Sequence, residues 1–224
     1  MPSHTSAVQD YLKAIHVLEG DPPEPDRPVA TQALADRLGV SPASATNMLK
    51  KLAAMGLVDH APYKGANLTA SGRDVALEVI RHHRLLETYL AEALGVPWDR
   101  VHDEAEILEH VLSEDLEDRI AARLGDPKAD PHGHPIPGKD GSMPAASETR
   151  LWAVPEGSEV AVERVSDDEP EALRFLAELG IRPGTAVTVL RRGPIGGPLF
   201  VRVKGGPADV QALSKELAEV VWVA

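Results

Sequence analysis

The 224-residue sequence contains no cysteine. Disulfides, thiolate metal sites and cysteine nucleophiles are therefore excluded together. Any transition-metal site must be built from nitrogen and oxygen, with the four methionines the only sulfur. The sequence also lacks a long hydrophobic run. No apolar stretch approaches the roughly 20 residues of a membrane span, and no basic-plus-apolar leader precedes the first helical pattern. A soluble, cytoplasmic protein with no membrane partner is expected. Hydrophobic residues make up 43% of the chain, which supplies ordinary cores for two or three small domains.

Positive charge is in short supply too: 23 Lys/Arg stand against 35 Asp/Glu, a net of −12. Taken in bulk, that balance argues against nucleic acid. Its distribution says otherwise. Residues 1–80 carry 7 Lys/Arg and 9 Asp/Glu, residues 81–150 carry 8 and 15, and residues 151–224 carry 8 and 11. A nearly neutral N-terminal third can present a local basic face, whereas the acidic middle would attract cations.

Helical periodicity runs from Ala7 to Leu18, and Gly20 with the Asp21–Pro25 run ends it in a loop. A short helix follows from Thr31, a plausible N-cap, to Leu38. Ser41-Pro42 opens another, to about Met55, with serine as N-cap and proline at the first helical position. Leu57–His60 and Ala66–Leu68 read as two short strands around a turn at Tyr63–Gly65. Thr69 or Ser71 starts a long helix to about Leu94, and Asp99 starts another to about Leu124. Residues 126–148 are rich in proline and glycine. Beyond them, strands are expected at 160–162, 186–190, 199–203 and 220–223, with short helices at about 170–179 and 207–217, which is a small β-barrel pattern. The fold class expected is mainly α. A winged helix-turn-helix (1–73) precedes a helical metal-binding and dimerisation domain (74–140), a linker (141–153) and an SH3-like barrel (154–224).

Two short helices followed by strand–turn–strand are the layout of a winged helix-turn-helix. In its second helix Ala45, Met48, Leu49 and Leu52 take the inward positions. A recognition helix needs small or hydrogen-bonding side chains near its N-terminus, so that its backbone can approach bases and phosphates. Ser41, Pro42, Ala43, Ser44, Thr46 and Asn47 supply them. Asn47 can read adenine bidentately, while Lys50, Lys51 and Lys64 would make positioning contacts. The plainer alternative is a solvated helical hairpin with ordinary lysines.

His83 and Glu87 share one face of the long helix, being four residues apart. His102, Glu106, Glu109 and His110 fall within about 100° on the next, by the 3.6-residue period. Imidazole plus carboxylate suits Mn, Fe, Co, Ni or Zn, and more oxygen favours harder ions. Charge decoration of a solvated helix is the competing reading. The metalloprotease pattern H-E-x-x-H is absent. His132 and His134 read as loop residues. A metal-dependent hydrolase would need an open coordination position and a positioned base. No such constellation stands out, so no enzymatic activity and no catalytic residue are expected.

The segments YLKAI (11–15), GVSPASATNMLKKL (39–52), MGLV (55–58), LTASGR (68–73), HRLLE (83–87), VHDEAEILEH (101–110) and HPIPG (134–138) resemble the diphtheria-toxin-repressor/manganese-transport-regulator (DtxR/MntR) family. LAELGIRPG (176–184) and GPLFVRV (197–203) are similar to the family's SH3-like, FeoA-type domain. This resemblance implies a homodimeric transcriptional regulator, a repressor of metal-uptake genes, that binds a palindromic double-stranded operator when loaded with Mn(II) or Fe(II). It implies two metal sites per chain. A primary site would use Asp10, Glu106, Glu109 and His110; a second would use His83, Glu87 and His102, with Asp167 and Glu169 as further candidates from the barrel. Iron-sensing members carry Met and Cys where Asp10 and Glu106 stand, so the oxygen-rich set points to manganese. The manganese branch has an acidic ligand where Lys13 stands here, which implies two separated sites instead of a close pair. The alternative is a metal-independent winged-helix regulator whose barrel takes a small-molecule or protein ligand.

Overall fold

The computed structural model describes residues 4–20, 28–61 and 64–224, and the chain divides into two units. The expected loop Asp21–Pro25 and Tyr63 of the expected turn lie outside the described residues.

The first unit comprises residues 1–82, 109–112 and 137–142. Helix α1 (Ser6–Glu19) buries Val8, Tyr11, Leu12, Ala14 and Ile15, the apolar stripe its spacing dictates. Helices α2 (Thr31–Arg37) and α3 (Pro42–Ala54) follow, then an antiparallel hairpin of β1 (Val58–Ala61) and β2 (Gly65–Leu68) with Val58 opposite Leu68. Leu12, Ile15, Leu34, Leu49 and Leu52 are fully buried in one core. Each such side chain contributes about 1.5–3 kcal/mol of burial free energy. This shared core makes α1 part of the same body as α2 and α3.

Ser41 caps α3 as its sequence requires, its Oγ accepting the Ser44 N–H at 3.1 Å. Thr31, by contrast, is the first helical residue of α2, and Ala30 holds the N-cap position. The reason lies one residue earlier. Val29 exchanges two backbone hydrogen bonds with Ala66, so the chain stays extended through Ala30 before it can turn. Helix α4 (Ala70–Leu94) starts under a cap from Thr69, whose Oγ1 accepts the Gly72 N–H. A Cβ at Gly72 would stand 1.9 Å from the Leu57 carbonyl oxygen, so only glycine lets the helix begin against the chain entering β1.

The second unit comprises residues 83–108, 113–136 and 143–224. The long helix expected from Asp99 to Leu124 is two helices, α5 (Val101–Leu108) and α6 (Glu114–Leu124). Ser113 accepts the Leu116 N–H, and Glu114, Asp115 and Glu117 fill the first turn of α6. That is a helix start written inside what the periodicity reads as one helix. Further on, β3 (Glu159–Val165), α7 (Pro170–Glu178), β4 (Ala186–Arg192), β5 (Leu199–Val203), β6 (Gln211–Leu213), α8 (Lys215–Glu219) and β7 (Val221–Val223) build the C-terminal domain. Its five strands form one antiparallel sheet in the order β6-β5-β4-β3-β7. The helix expected at 207–217 is instead strand β6 and the short α8. Residues 211–213 alternate buried, exposed, buried, and β5 pairs with them, which holds them extended.

Residues 126–136 carry no regular element but are packed down. The His132 carbonyl accepts the Val165 N–H, and Gly133 has φ +90° with a Cβ position only 2.0 Å from the Glu163 carbonyl oxygen. Glycine is what lets this loop lie directly on β3. No helix among the described residues is long and apolar enough to cross a membrane.

Candidate metal centre

Among the described residues several groups of ligand-type side chains lie close together, and two of them, one in each unit, hold most of the expected ligands. In the first unit, Asp10, Glu109 and His110 place one ligand atom each within 4.8 Å of one another. Asp10 comes from α1; Glu109 and His110 follow the end of α5. His110 Nε2 lies 2.9 Å from Asp10 Oδ1 and 3.7 Å from Glu109 Oε1, while its Nδ1 pairs with Gln9 Oε1 at 2.8 Å. That outer bond fixes the ring orientation. Glu109 is buried, its backbone carbonyl lies 3.2 Å from His82 Nδ1, and both of its carboxylate oxygens meet Lys13 Nζ, at 3.0 and 2.9 Å. Of the four residues expected at the primary site, three are thus brought together. Glu106 falls in the second unit, where it is half-exposed and stands 3.4 Å from His83 Nδ1.

In the second unit, His83, Glu87, His102 and Asp167 converge. His83 Nε2 lies 3.1 Å from both Glu87 Oε1 and His102 Nδ1, and His102 Nδ1 is 3.3 Å from Glu87 Oε1 and 3.4 Å from Asp167 Oδ2. Metal–ligand bonds of roughly 2.0–2.2 Å put neighbouring ligand atoms about 3 Å apart, so these spacings suit one divalent ion. The donor chemistry fits as well: two imidazoles and two carboxylates, with Glu87 fully buried. Asp167 joins this cluster from the loop after β3. Glu169 does not; it is exposed at the N-cap of α7 and belongs to no ligand group among the described residues.

A neighbouring group, Asp130, His132 and His134, was not legible as a site in the sequence. Its members lie in a proline-rich loop, yet His132 is fully buried. Asp130 Oδ1 accepts the backbone N–H of His132 and of His134, which shapes the loop. His132 Nε2 faces the Trp98 carbonyl at 2.7 Å and so carries the proton. Its Nδ1 lies 3.8 Å from Glu87 Oε1, and that Nδ1 and Glu87 Oε2 make no hydrogen bond among the described residues. Buried polar atoms left without a hydrogen bond are costly, and a bound cation beside them would satisfy them. The H-x-H spacing two residues after an aspartate was the available signal.

Electrostatics tell the same story. Hydrogen bonds donated to Asp167 and Glu87 push His102 up to about 10, against the opposing effect of burial. Burial works to raise Glu87, but hydrogen bonds from His102 and His83 outweigh it and hold the carboxyl below the usual range. Asp167 is likewise held well below its ordinary value: burial opposes this, and the charge of His134 and the hydrogen bond from His102 prevail. His134 is raised, since Asp130 and Asp167 together overcome its burial. Without a metal, protons on the histidines compensate the carboxylates.

The residues expected at the DNA contact lie at the surface of the first unit. Ser41, Pro42, Ala43, Ser44, Asn47, Lys50, Lys51 and Lys64 are exposed, and Thr46 is partly exposed with its hydroxyl bonded to the Pro42 carbonyl.

A winged helix-turn-helix joined to His/carboxylate clusters and a small antiparallel sheet defines a metal-responsive DNA-binding protein. Comparison with known proteins narrows that class. Residues 4–66 match the iron dependent repressor N-terminal DNA binding domain, residues 69–138 the iron dependent repressor metal binding and dimerisation domain, and residues 149–224 the FeoA domain. The iron-dependent repressor IdeR of Mycobacterium leprae is 36% identical over 204 residues, covering 85% of this chain and 86% of that protein. Among solved structures, a manganese-dependent transcriptional repressor in complex with manganese is 43% identical with a TM-score of 0.88, covering 97% of this chain and 99% of that one. ScaR with bound Zn2+ is 28% identical with a TM-score of 0.80, covering 97% and 98%. The chain belongs to the DtxR/IdeR/MntR family of metal-dependent transcriptional repressors. The named members of this family are transcriptional repressors.

Proposed function

We propose that this repressor senses Mn(II), in preference to Fe(II), and binds a palindromic operator as a metal-loaded homodimer to silence metal-uptake genes. The observation that carries the reading is the 2.9 Å approach of Asp10 to His110. Asp10 sits on α1, whose apolar face shares a core with the recognition helix α3. A ligand on α1 therefore moves with the DNA-reading surface. Bound metal would supply a fixed double positive charge that holds the carboxylates of Asp10 and Glu109 against their mutual repulsion. It would select, from a looser ensemble, the placement of α1 that lets both recognition helices of a dimer enter successive major grooves.

Manganese is favoured by the donor set: two carboxylates and one imidazole at Asp10, Glu109 and His110, without sulfur. The 43% identity to a manganese-dependent repressor supports the same choice, against 36% to an iron-dependent one. The second site, two ions per chain in all, would be held by His83, Glu87, His102 and Asp167, with His132 and the Asp130 loop beside it. Ser41, Pro42, Ala43, Ser44, Thr46, Asn47, Lys50, Lys51 and Lys64 would form the DNA contact.

The deciding experiment titrates Mn(II), Fe(II), Co(II) and Zn(II) against the full-length protein on the DNA upstream of its own gene. Operator binding that tightens with Mn(II) at lower free concentration than with the others supports the proposal. Operator binding indifferent to metal would sink it.

A further inference from the structure

Lys13 lies three residues after Asp10 on α1, and its ammonium sits across the carboxylate of Glu109, 3.0 Å from Oε1 and 2.9 Å from Oε2. Neither oxygen is favoured over the other. The Glu109 side chain has no solvent exposure, whereas that of Lys13 retains 17%. One of the same two oxygens faces His110 Nε2 at 3.7 Å, and that nitrogen in turn faces Asp10. The ammonium therefore occupies a cation position on the ligand cluster itself.

We propose that Lys13 is a tethered competitor for the metal, setting the Mn(II) concentration at which the first site fills. The inference rests on Asp10, Glu109 and His110 being that site. A buried carboxylate left without a counter-charge is costly, and the ammonium removes that cost while no metal is bound. It cannot itself act as a ligand, since a protonated amine has no lone pair. A divalent ion that takes Glu109 must break the bidentate contact and meet the repulsion of the displaced ammonium. Four rotatable bonds and a route to solvent let the side chain withdraw instead of blocking the site outright. Metal binding is thus an exchange of one cation for another. Its affinity is lower than the three ligands alone would give, by about the free energy of one part-buried ion pair.

The test uses full-length protein carrying His102→Ala, which leaves the first site as the one measured, with Mn(II) binding followed by calorimetry and by the EPR signal of free Mn(II). Lys13→Gln is expected to bind Mn(II) on the order of tenfold more tightly, the equivalent of one ion pair. Lys13→Arg, which keeps the charge, should stay close to the parent. Lys13→Met serves as a second neutral variant should the glutamine protein fold poorly. A lysine that only supports the fold would lower the melting temperature of the metal-free protein and leave the Mn(II) affinity unchanged. Unchanged or weaker binding in both neutral variants therefore overturns the competition. If His110→Ala has no effect on Mn(II) binding in the parent, the site assignment falls and the competition with it, a result distinct from the first.

Discussion

Glu87 Oε1 stands 3.8 Å from His132 Nδ1, and both side chains are fully buried. His132 Nε2 donates to the Trp98 carbonyl, while its Nδ1 makes no hydrogen bond among the described residues. The buried carboxylate of Glu87 is stable in a protein interior only with a positive charge close by, and several histidines and Arg84 surround it.

Metal should accordingly stabilise the fold. A ligand present at a hundred times its dissociation constant adds about 2.7 kcal/mol, and a chain of this size gains roughly 2–4 °C per kcal/mol. Scanning calorimetry is expected to show a melting temperature higher by roughly 5–10 °C with Mn(II) than with chelator. Glu87→Ala should remove most of that gain and one equivalent of bound Mn(II); a full gain in the variant would place the stabilising ion elsewhere.

The raised value of His102 fixes the sign of a pH effect. A group whose folded value, about 10, lies above its usual value of about 6.5 contributes stability that is fully present below pH 6.5 and fades as pH rises through 10. Metal-free protein should therefore lose thermal stability between neutral pH and pH 10, the window in which Asp167 and Glu87 lose their imidazolium partner. Binding of metal requires that proton to leave. Calorimetric Mn(II) binding at pH 7 should show heats that vary linearly with the buffer's ionisation enthalpy, with at least one proton released; heats independent of buffer would contradict the assignment.

Asp10→Ala should separate folding from function. The residue is partly buried on α1 but lies outside the hydrophobic core, so a melting curve of the metal-free protein should shift by about 1 kcal/mol or less. Mn(II)-dependent operator binding in a fluorescence anisotropy assay should be lost, by a hundredfold or more in apparent affinity if metal is required. Retained metal dependence would remove Asp10 from the ligand set.

On the DNA side, the exposed Lys50 and Lys51 lie on α3 and Lys64 opens onto β2. Replacing any one of them by alanine should weaken binding to all sequences alike and lower the slope of log K against log salt by about one. Asn47→Ala should instead cost about 1–3 kcal/mol on the specific operator and little on random DNA. The two behaviours, read from the same salt titration, distinguish a base-reading residue from a phosphate contact.

Much of this protein is legible along the chain. Ser41-Pro42 announces α3 because the cap is a local interaction, completed within three residues by the Ser44 amide. His83 and Glu87 meet because four residues make one turn. The break between α5 and α6 was also written locally, in Ser113 and the acidic turn after it, but the continuing apolar period hides it. Where a segment's conformation is set by a distant partner, local reading fails. Val29 bonded to Ala66 shifts the start of α2, and β5 converts an expected helix into β6.

The sequence by itself determined the chemistry: a sulfur-poor chain whose candidate ligands are imidazoles and carboxylates, with a helix capped at Ser41-Pro42. Only the tertiary structure decided the partners. It seats Asp167 beside His102, presses His132 against Glu87 through a glycine that lets a loop rest on β3, and lays Lys13 across Glu109. Helical period links residues one turn apart, but these contacts join residues far apart in the chain, and burial, which gives the charges their force, exists only once the chain has folded.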